Sequence, residues 1–216
     1  MKSLVLLFFA ATALTGQTAT KVATSNESIE SGGPSGTPWF HNAQTLGTFQ
    51  EYGISSFAFV PTDFGFPTVT GISAIKISYL KNGASFTKDG PVEFFITFDT
   101  KIASGNFSGL THNGLAAGIE DTQFSDTPTL QTVGTGSFVE SAGGLVDTYP
   151  LTLSPELETS LVSAINGGEP FAVILGAPSG NTSATYAGLE SNLFESRGGS
   201  QPDSNRTSLT ITASGE

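Results

Sequence analysis

The last third of the chain, residues 147–213, constrains the fold most because its hydrophobic period changes twice. It opens with the two-residue alternation of a half-buried strand, seen at Tyr149, Leu151 and Leu153. Ser154 can then cap a helix, Pro155 suits the first helical position, and Gly167-Gly168 supplies a left-handed stop. Between these signals apolar residues recur every four positions, at Leu157, Leu161 and Ile165. The segment therefore predicts a strand followed by one short helix over about residues 155–166.

Strand patterns surround this helix on both sides. Phe171–Leu175 is a continuous apolar run, short enough to be a strand buried on both faces. Alternating or apolar segments predict further strands at residues 49–60, 72–80, 92–99, 130–139, 186–191 and 208–213. Strands that are separated by turns, together with one helix, predict an all-β protein, and specifically a jelly-roll-like antiparallel β-sandwich.

The N-terminus has the layout of a secretory signal peptide, because a positively charged start is followed by a short apolar core at Leu4–Leu14. This core is too short to span a bilayer. We expect cleavage near Ala19, so that the signal peptide covers residues 1–19; an N-terminal strand or anchor helix is the alternative. Residues 20–38 are polar and rich in Ser, Gly and Pro, which predicts a flexible segment. Residues 39–216 are predicted to form a single β-sandwich domain.

The composition narrows the set of partners. The formal net charge is −11, from 8 basic and 19 acidic side chains. Affinity for nucleic acid comes mainly from Lys and Arg, so neither nucleic acid nor an anionic membrane surface is expected to bind. The chain has no cysteine, which excludes disulfides and a lipid-modified Cys. We therefore expect an acidic protein that is secreted or held at the cell surface, in a setting more typical of bacteria than of animals.

Taken together, the segments resemble the secreted β-sandwich modules known as DNRLRE domains. These modules are related to disaggregatase repeats and to a carbohydrate-binding module family, and similar domains recur in bacterial envelope proteins with a PEP-CTERM sorting tail. The matching segments are Ser56–Phe59, Ile72–Tyr79, Pro91–Ile96, Leu153–Ile165, Phe171–Leu175, Ala184–Ser191 and Ser208–Thr212. The chain departs from the family in its central loop, where Asp126-Thr127-Pro128 lies without a tryptophan, and no Pro-Glu-Pro tail follows Ser214. The resemblance implies a module that binds polysaccharide.

The residues offer little for catalysis. The only histidines are His41 and His112, and neither lies in a nucleophile motif, so a Ser–His triad or a His-based zinc site is not expected. A pair of carboxylates could hydrolyse glycosides, and the candidates are Glu93, Asp99, Glu120, Asp121, Glu190 and Glu195. No spacing marks a pair among them, so we interpret them as a solvated acidic surface. The chain is predicted not to be an enzyme; a polysaccharide lyase or glycosidase that uses the acidic loop is the alternative.

Two groups of residues could bind ligands. Exposed aromatic rings can stack on sugar faces, and the candidates in the N-terminal third are Trp39, Tyr52, Phe64 and Phe66. The alternative is that these rings cap one end of the core. Calcium takes carboxylate and amide oxygens from irregular loops, which predicts a structural calcium site at Glu120, Asp121 and Asp126. A second oxygen-rich cluster is formed by Glu190, Asn192 and Asp203.

These observations favour a secreted, non-catalytic β-sandwich protein that binds a polysaccharide or cell-surface glycan, or that acts in the extracellular matrix. A self-associating structural or adhesive subunit is the alternative, because Thr-rich strands with few charges leave sheet edges open to pairing.

Overall fold

The computed structural model describes residues 16–216 apart from 31, 37–39, 47–48, 84, 111–129, 142, 179–180 and 190–205. These residues form two antiparallel β-sheets that pack face to face, with two α-helices. The architecture confirms the predicted all-β sandwich, and the predicted helix is the longer of the two.

Twelve strands lie in the described part of the chain. They are β1 Gln17–Val22, β2 Ser25–Glu30, β3 Gly33–Pro34, β4 Phe40–Leu46, β5 Phe49–Phe57, β6 Val69–Leu80, β7 Gly90–Thr97, β8 Gln131–Phe138, β9 Val146–Leu151, β10 Phe171–Gly176, β11 Ser183–Ala187 and β12 Ser208–Gly215. The helices are α1 Thr100–Ala103 and α2 Pro155–Gly167, and a 3-10 helix covers Pro61–Phe64.

The smaller sheet has the order β1-β12-β6-β9, and the larger has the order β11-β4-β5-β10-β7-β8. Strand β2 also pairs with β5, and the short β3 pairs with β2. The chain crosses between the sheets after β6, and it crosses back after β8. Helix α2 connects β9 of the smaller sheet to β10 of the larger one, which places the helix beside the core.

Alternation along β6 builds the core between the sheets. Ile75, Ile77 and Tyr79 are buried, whereas Lys76 is exposed and Ser78 is half-buried on the opposite face, as the pattern predicts. Strand β7 contributes its own inward set, Val92, Phe94 and Ile96. Each fully buried side chain of this size contributes about 1.5–3 kcal/mol relative to an exposed one. The alternation therefore determines which face of each sheet is inside.

Strand β10 is buried on both faces, as its continuous apolar run predicts. Phe171, Val173 and Leu175 enter the main core, whereas Ala172 and Ile174 belong to a second core on the outer face of the larger sheet. This second core also contains apolar side chains of β2, β5, β7, α1 and the segments that flank residues 111–129, namely Ile29, Ile54, Phe95, Ile102, Leu110 and Leu130. Both faces of β10 are apolar because one packs in the main core and the other in the second core.

Helix α2 begins and ends where the sequence predicts. The Ser154 hydroxyl accepts a hydrogen bond from the Leu157 amide at 3.2 Å, and Gly168 ends the helix with a left-handed φ of 68°. The three stripe residues predicted to face the core, Leu157, Leu161 and Ile165, are buried. Glu158 and Asn166 fix the helix to β6, since their side-chain oxygens accept from the Ile72 and Val69 amides, each at 2.9 Å.

Residues 20–38, for which the sequence predicts a flexible segment, include parts of two paired strands where the structure describes them. Strand β1 pairs with β12 over its full length, from Gln17 opposite Ala213 to Val22 opposite Ser208, and β2 pairs with β5. Polar strands such as these form because their backbone groups pair with an existing sheet, which a polar composition does not reveal. The predicted signal peptide ends inside β1, at Ala19, and residues 1–15 lie outside the described residues.

Candidate functional site

A surface groove of about 750 Å³ lies between α1, α2 and the start of β10. Its floor is apolar and its rim carries hydroxyl groups and one carboxylate. The lining residues are Phe98, Thr100, Ser104, Thr159, Ser160, Ser163, Ala164, Glu169 and Pro170. A volume of this size is in the range of known small-molecule sites.

The turn after β7 positions one wall of the groove. The Asp99 carboxylate accepts hydrogen bonds from the Lys101 and Ile102 amides, each at 3.0 Å, and so caps α1. Phe98 is thereby held half-buried, with its ring centroid 6.1 Å from that of Phe171. One side of the Phe98 ring packs on the core, and the ring also lines the groove.

Helix α2 forms the opposite wall. Because its stripe of leucine and isoleucine residues faces the core, the residues between them point outward, and Thr159, Ser160 and Ser163 are exposed. The Thr159 hydroxyl donates to the Pro155 carbonyl at 2.8 Å, and the Ser160 hydroxyl donates to the Glu156 carbonyl at 3.0 Å. Each hydroxyl thus donates its proton to a carbonyl of the same helix. Its oxygen can therefore act only as an acceptor toward a ligand in the groove.

Two more polar groups of the rim present acceptor oxygens. The Ser104 hydroxyl donates to the Lys101 carbonyl at 3.0 Å, and the Glu169 carboxylate follows the glycine that ends α2. An apolar floor with acceptor oxygens around it suits a ligand that has flat apolar faces and many O–H donors. It does not suit an anionic ligand, because Glu169 would repel it.

The three predicted aromatic residues that the structure describes, Tyr52, Phe64 and Phe66, do not share one exposed platform. Phe64 is 3 % exposed and its ring stacks on Phe59 at 5.8 Å, so it has no free face for a sugar. Phe66 is half-buried against the core, and its ring occupies the space where a side chain at Gly215 would stand. These two rings therefore cap the core, which is the alternative that the sequence leaves open. Trp39 lies outside the described residues.

Tyr52 lies apart from these two rings, on the outer face of the larger sheet. It contacts Phe95 edge-on at 6.5 Å, and its ring covers Gly176. Burial, followed by the nearby charge of Glu93, raises the pKa of the Tyr52 hydroxyl. Because Phe64 and Tyr52 pack against different cores, they cannot form one platform. The predicted calcium ligands Glu120, Asp121 and Asp126 lie outside the described residues.

The sequence reasoning missed a buried polar layer where β4 and β11 fold against β2 and β5. We define the polar layer by Asn26, Ser28, Asn42, Gln44, Glu51 and Thr185, all of which are buried. Ala43 of β4 faces the main core, whereas the residues on either side of it contact β2 and β5. The only signal in the sequence is the alternation of Asn and Gln around Ala43, which resembles an ordinary solvent-facing strand pattern.

Hydrogen bonds join the two sides of the polar layer. The Asn42 amide donates to the Ser28 hydroxyl at 2.9 Å, and the Gln44 side-chain amide donates to Glu51 at 3.4 Å. Burial raises the pKa of the Glu51 carboxyl, a hydrogen bond from the Asn42 side chain opposes this shift, and the charge of Glu30 adds to it. Among the residues that the structure describes, three buried side-chain atoms of the layer have no hydrogen-bond partner: Asn26 Nδ2, Asn42 Oδ1 and Thr185 Oγ1.

A second buried polar network closes one end of the sandwich. The Lys81 ammonium lies 3.0 Å from the Asp147 carboxylate and donates to the Val139 carbonyl at 2.7 Å. The other Asp147 oxygen accepts from the Tyr186 hydroxyl at 3.1 Å, and the Tyr149 and Tyr186 hydroxyls are 2.8 Å apart. Burial raises the pKa of both tyrosines. Every group of this network is engaged with another, which fits a structural role.

Within the described ranges, no group of three or more His, Cys, Asp and Glu side chains is placed to hold a metal ion. No helix in the same ranges combines the length and the apolar character needed to cross a membrane.

The fold and the groove together define a class: an all-β sandwich that carries a surface groove with acceptor oxygens beside helix α2. No family model matches the chain, and no curated protein matches it. The resemblance to DNRLRE modules therefore stays a prediction.

Proposed function

We propose that this protein is a secreted, non-catalytic binding protein whose ligand is a neutral polysaccharide held in the groove between α1 and α2. The observation that carries the proposal is the set of acceptor oxygens, from Ser104, Thr159, Ser160 and Glu169, in a groove that also contains Phe98, Ala164 and Pro170. Pyranose rings present apolar C–H faces and a periphery of hydroxyls, and each hydroxyl can donate to an acceptor whose own proton is already engaged.

The charge of the protein favours a neutral ligand over an acidic one. The net charge of −11 and the exposed Glu169 at the rim would repel uronic acids or sulfated sugars at low salt. A neutral glycan avoids this repulsion, and Glu169 accepts hydrogen bonds from its hydroxyls. The signal-like N-terminus and the resemblance to DNRLRE modules support an extracellular location, where such polysaccharides occur.

Binding can be tested by blocking the groove without disturbing the core. Ser163 is exposed on the groove side of α2, so Ser163→Tyr fills the groove while the buried stripe of the helix stays intact. The matched control is Thr70→Tyr, at an exposed position of β6 away from the groove. Phe98→Ala is less suitable because Phe98 packs on Phe171.

Affinity electrophoresis through neutral glucans, mannans and xylans, with alginate as the acidic comparison, provides the measurement. We expect retardation by at least one neutral polysaccharide and none by alginate. Ser163→Tyr should weaken the affinity by about tenfold or more, equivalent to about 1.4 kcal/mol, and Thr70→Tyr should leave it unchanged. Retention that is equal in both variants would place binding elsewhere, and no retention would refute the proposal.

A second candidate function is self-association. Four of the exposed large apolar side chains lie near the edge strand β9. Val139 and Leu145 belong to the connection from β8 to β9, Val146 is the first residue of β9, and Phe86 lies in the connection from β6 to β7. Apolar groups beside an open sheet edge favour pairing between copies. Light scattering at increasing concentration tests this, with Val146→Lys expected to remove any dimer; a strict monomer at high concentration would exclude the function.

A further inference from the structure

An unusual electrostatic arrangement lies at the edge of the polar layer, where the exposed Glu30 faces Glu51. Glu30 of β2 and Glu51 of β5 are directly opposite each other in the antiparallel register. Like charges in this relation destabilise a sheet. Glu51 is also only 7 % exposed, so its carboxylate has lost most of its hydration. In the described part of the chain the ion pairs are Lys21 with Asp63 and Lys81 with Asp147, and neither reaches this pair of glutamates.

The neighbouring amides point to a bound cation. Asn42 is 6 % exposed and its side chain is hydrogen-bonded to the Glu51 carboxylate, yet its Oδ1 has no partner among the described residues. A buried acceptor without a donor is destabilising, so we expect a group that accepts its lone pairs, such as a cation, to lie beside it. The Gln44 amide also faces Glu51, at the long distance of 3.4 Å, and turning that amide over would present its oxygen instead.

We propose that the polar layer binds a divalent cation between Glu30 and Glu51, with Asn42 Oδ1 and the Gln44 side-chain oxygen as further ligands. Two carboxylates and two amide oxygens are hard ligands and provide up to six oxygen contacts, which matches calcium. Two carboxylates neutralise the charge of one divalent ion. None of these four residues lines the groove, so the cation stabilises the β2–β5 and β4–β5 pairings independently of polysaccharide binding.

The test uses the full chain, stripped with EDTA and titrated with calcium chloride or magnesium chloride. Isothermal titration calorimetry measures binding, and thermal unfolding measures stabilisation, which should grow with the logarithm of calcium concentration. We expect calcium to bind and to raise the melting temperature, and magnesium to do so less, because magnesium demands a rigid octahedral site.

Glu51→Gln is the decisive variant. Without calcium it should be at least as stable as the parent chain, because it no longer buries a charge, and it should not respond to calcium. Glu140→Gln, at an exposed position, removes the same charge and should respond like the parent. If Glu51→Gln does not fold, Glu30→Gln at the exposed edge of the site should lower calcium affinity by about tenfold or more, since ligand charge sets affinity.

A triple variant separates this site from the acidic loop. Glu120→Gln with Asp121→Asn and Asp126→Asn should keep the full calcium response. The proposal is overturned if calcium neither binds nor stabilises the parent chain, if Glu51→Gln responds like the parent, or if only the triple variant loses the response.

Discussion

Lys81 is a cation in the protein interior whose charge is balanced from several directions. Its side chain meets the Asp147 carboxylate and the Val139 carbonyl, and its ammonium lies 5.4 Å from the centroid of the Phe138 ring. Lys21 also forms an ion pair, with Asp63, but that pair is partly open to solvent. The two lysines therefore allow a comparison of a largely buried ion pair with one that is partly open to solvent.

Lys81→Ala should lower the free energy of unfolding by about 3 kcal/mol, because it leaves the Asp147 carboxylate without its cation in a largely buried network. Lys21→Ala should cost less than about 1 kcal/mol, since water screens the exposed pair. Urea unfolding of both variants measures the difference. Equal losses would show that the network around Lys81 is not desolvated in solution.

The four tyrosines predict an unusual alkaline titration. Burial raises the pKa of Tyr52, Tyr79, Tyr149 and Tyr186 above the ordinary value for a phenol. The folded chain then holds phenolic protons that the unfolded chain releases near pH 10. Because the folded chain binds these protons more tightly than the unfolded chain, the free energy of unfolding keeps its full value below about pH 10. It falls as the pH rises toward the raised pKa values of the folded chain.

Absorbance at 295 nm should therefore show little phenolate at pH 10 in the folded protein. It should then rise in one step as the protein unfolds at higher pH, and circular dichroism should change at the same pH. A chain unfolded in guanidinium chloride is the control and should titrate near pH 10. A folded protein that titrates like this control would contradict the burial of the tyrosines.

The long helix and the polar layer differ in how far sequence can predict them. All signals of α2 are local: the cap at Ser154, the proline after it, the four-residue stripe and the glycine stop lie within fifteen residues. The polar layer depends on pairings between strands far apart in sequence, and Asn42 and Gln44 look like surface residues until β4 folds against Ser28 and Glu51. The groove is intermediate, because the sequence predicts α2 but not that α1 docks beside it.

The two glycines at the end of α2 allow a matched test of whether the glycine stop signal ends the helix as the sequence predicts. Gly168 has a φ of 68°, whereas Gly167 belongs to the helix and has no positive φ. Gly168→Ala should destabilise the protein by about 1–2 kcal/mol, because an L-residue is strained in the left-handed region. Gly167→Ala should be neutral or stabilising by up to about 1 kcal/mol, because alanine favours the helix.

Thermal unfolding of both variants provides the measurement. The space around Gly168 does not confuse the comparison, because an added Cβ would lie at an ordinary 3.5 Å from Val60. Equal effects of the two substitutions would mean that the helix end rearranges in solution.

The fold joins the two ends of the described chain, since β1 completes the smaller sheet by pairing with β12. Thr18 and Thr20 each share a hydroxyl hydrogen bond of 2.9 Å with a threonine of β12, and Ala19 packs against the main core. Three residues of this strand, Gln17 to Ala19, would be lost if a leader were removed at Ala19. The position of cleavage therefore determines how much of β1 remains paired with β12, and so affects the stability of the fold.

If a leader is removed as the sequence predicts, the chain keeps the whole of β1 only when cleavage falls at or before Gly16 and not at Ala19. Purified chains that start at Gln17 and at Thr20 should differ in unfolding free energy by about 1–3 kcal/mol, because the shorter one loses several strand hydrogen bonds that contribute about 1 kcal/mol each. Its β12 amides should also exchange hydrogen faster. Mass spectrometry of the exported protein checks the start directly, and a mature N-terminus at Thr20 with undiminished stability would show that the first half of β1 is dispensable.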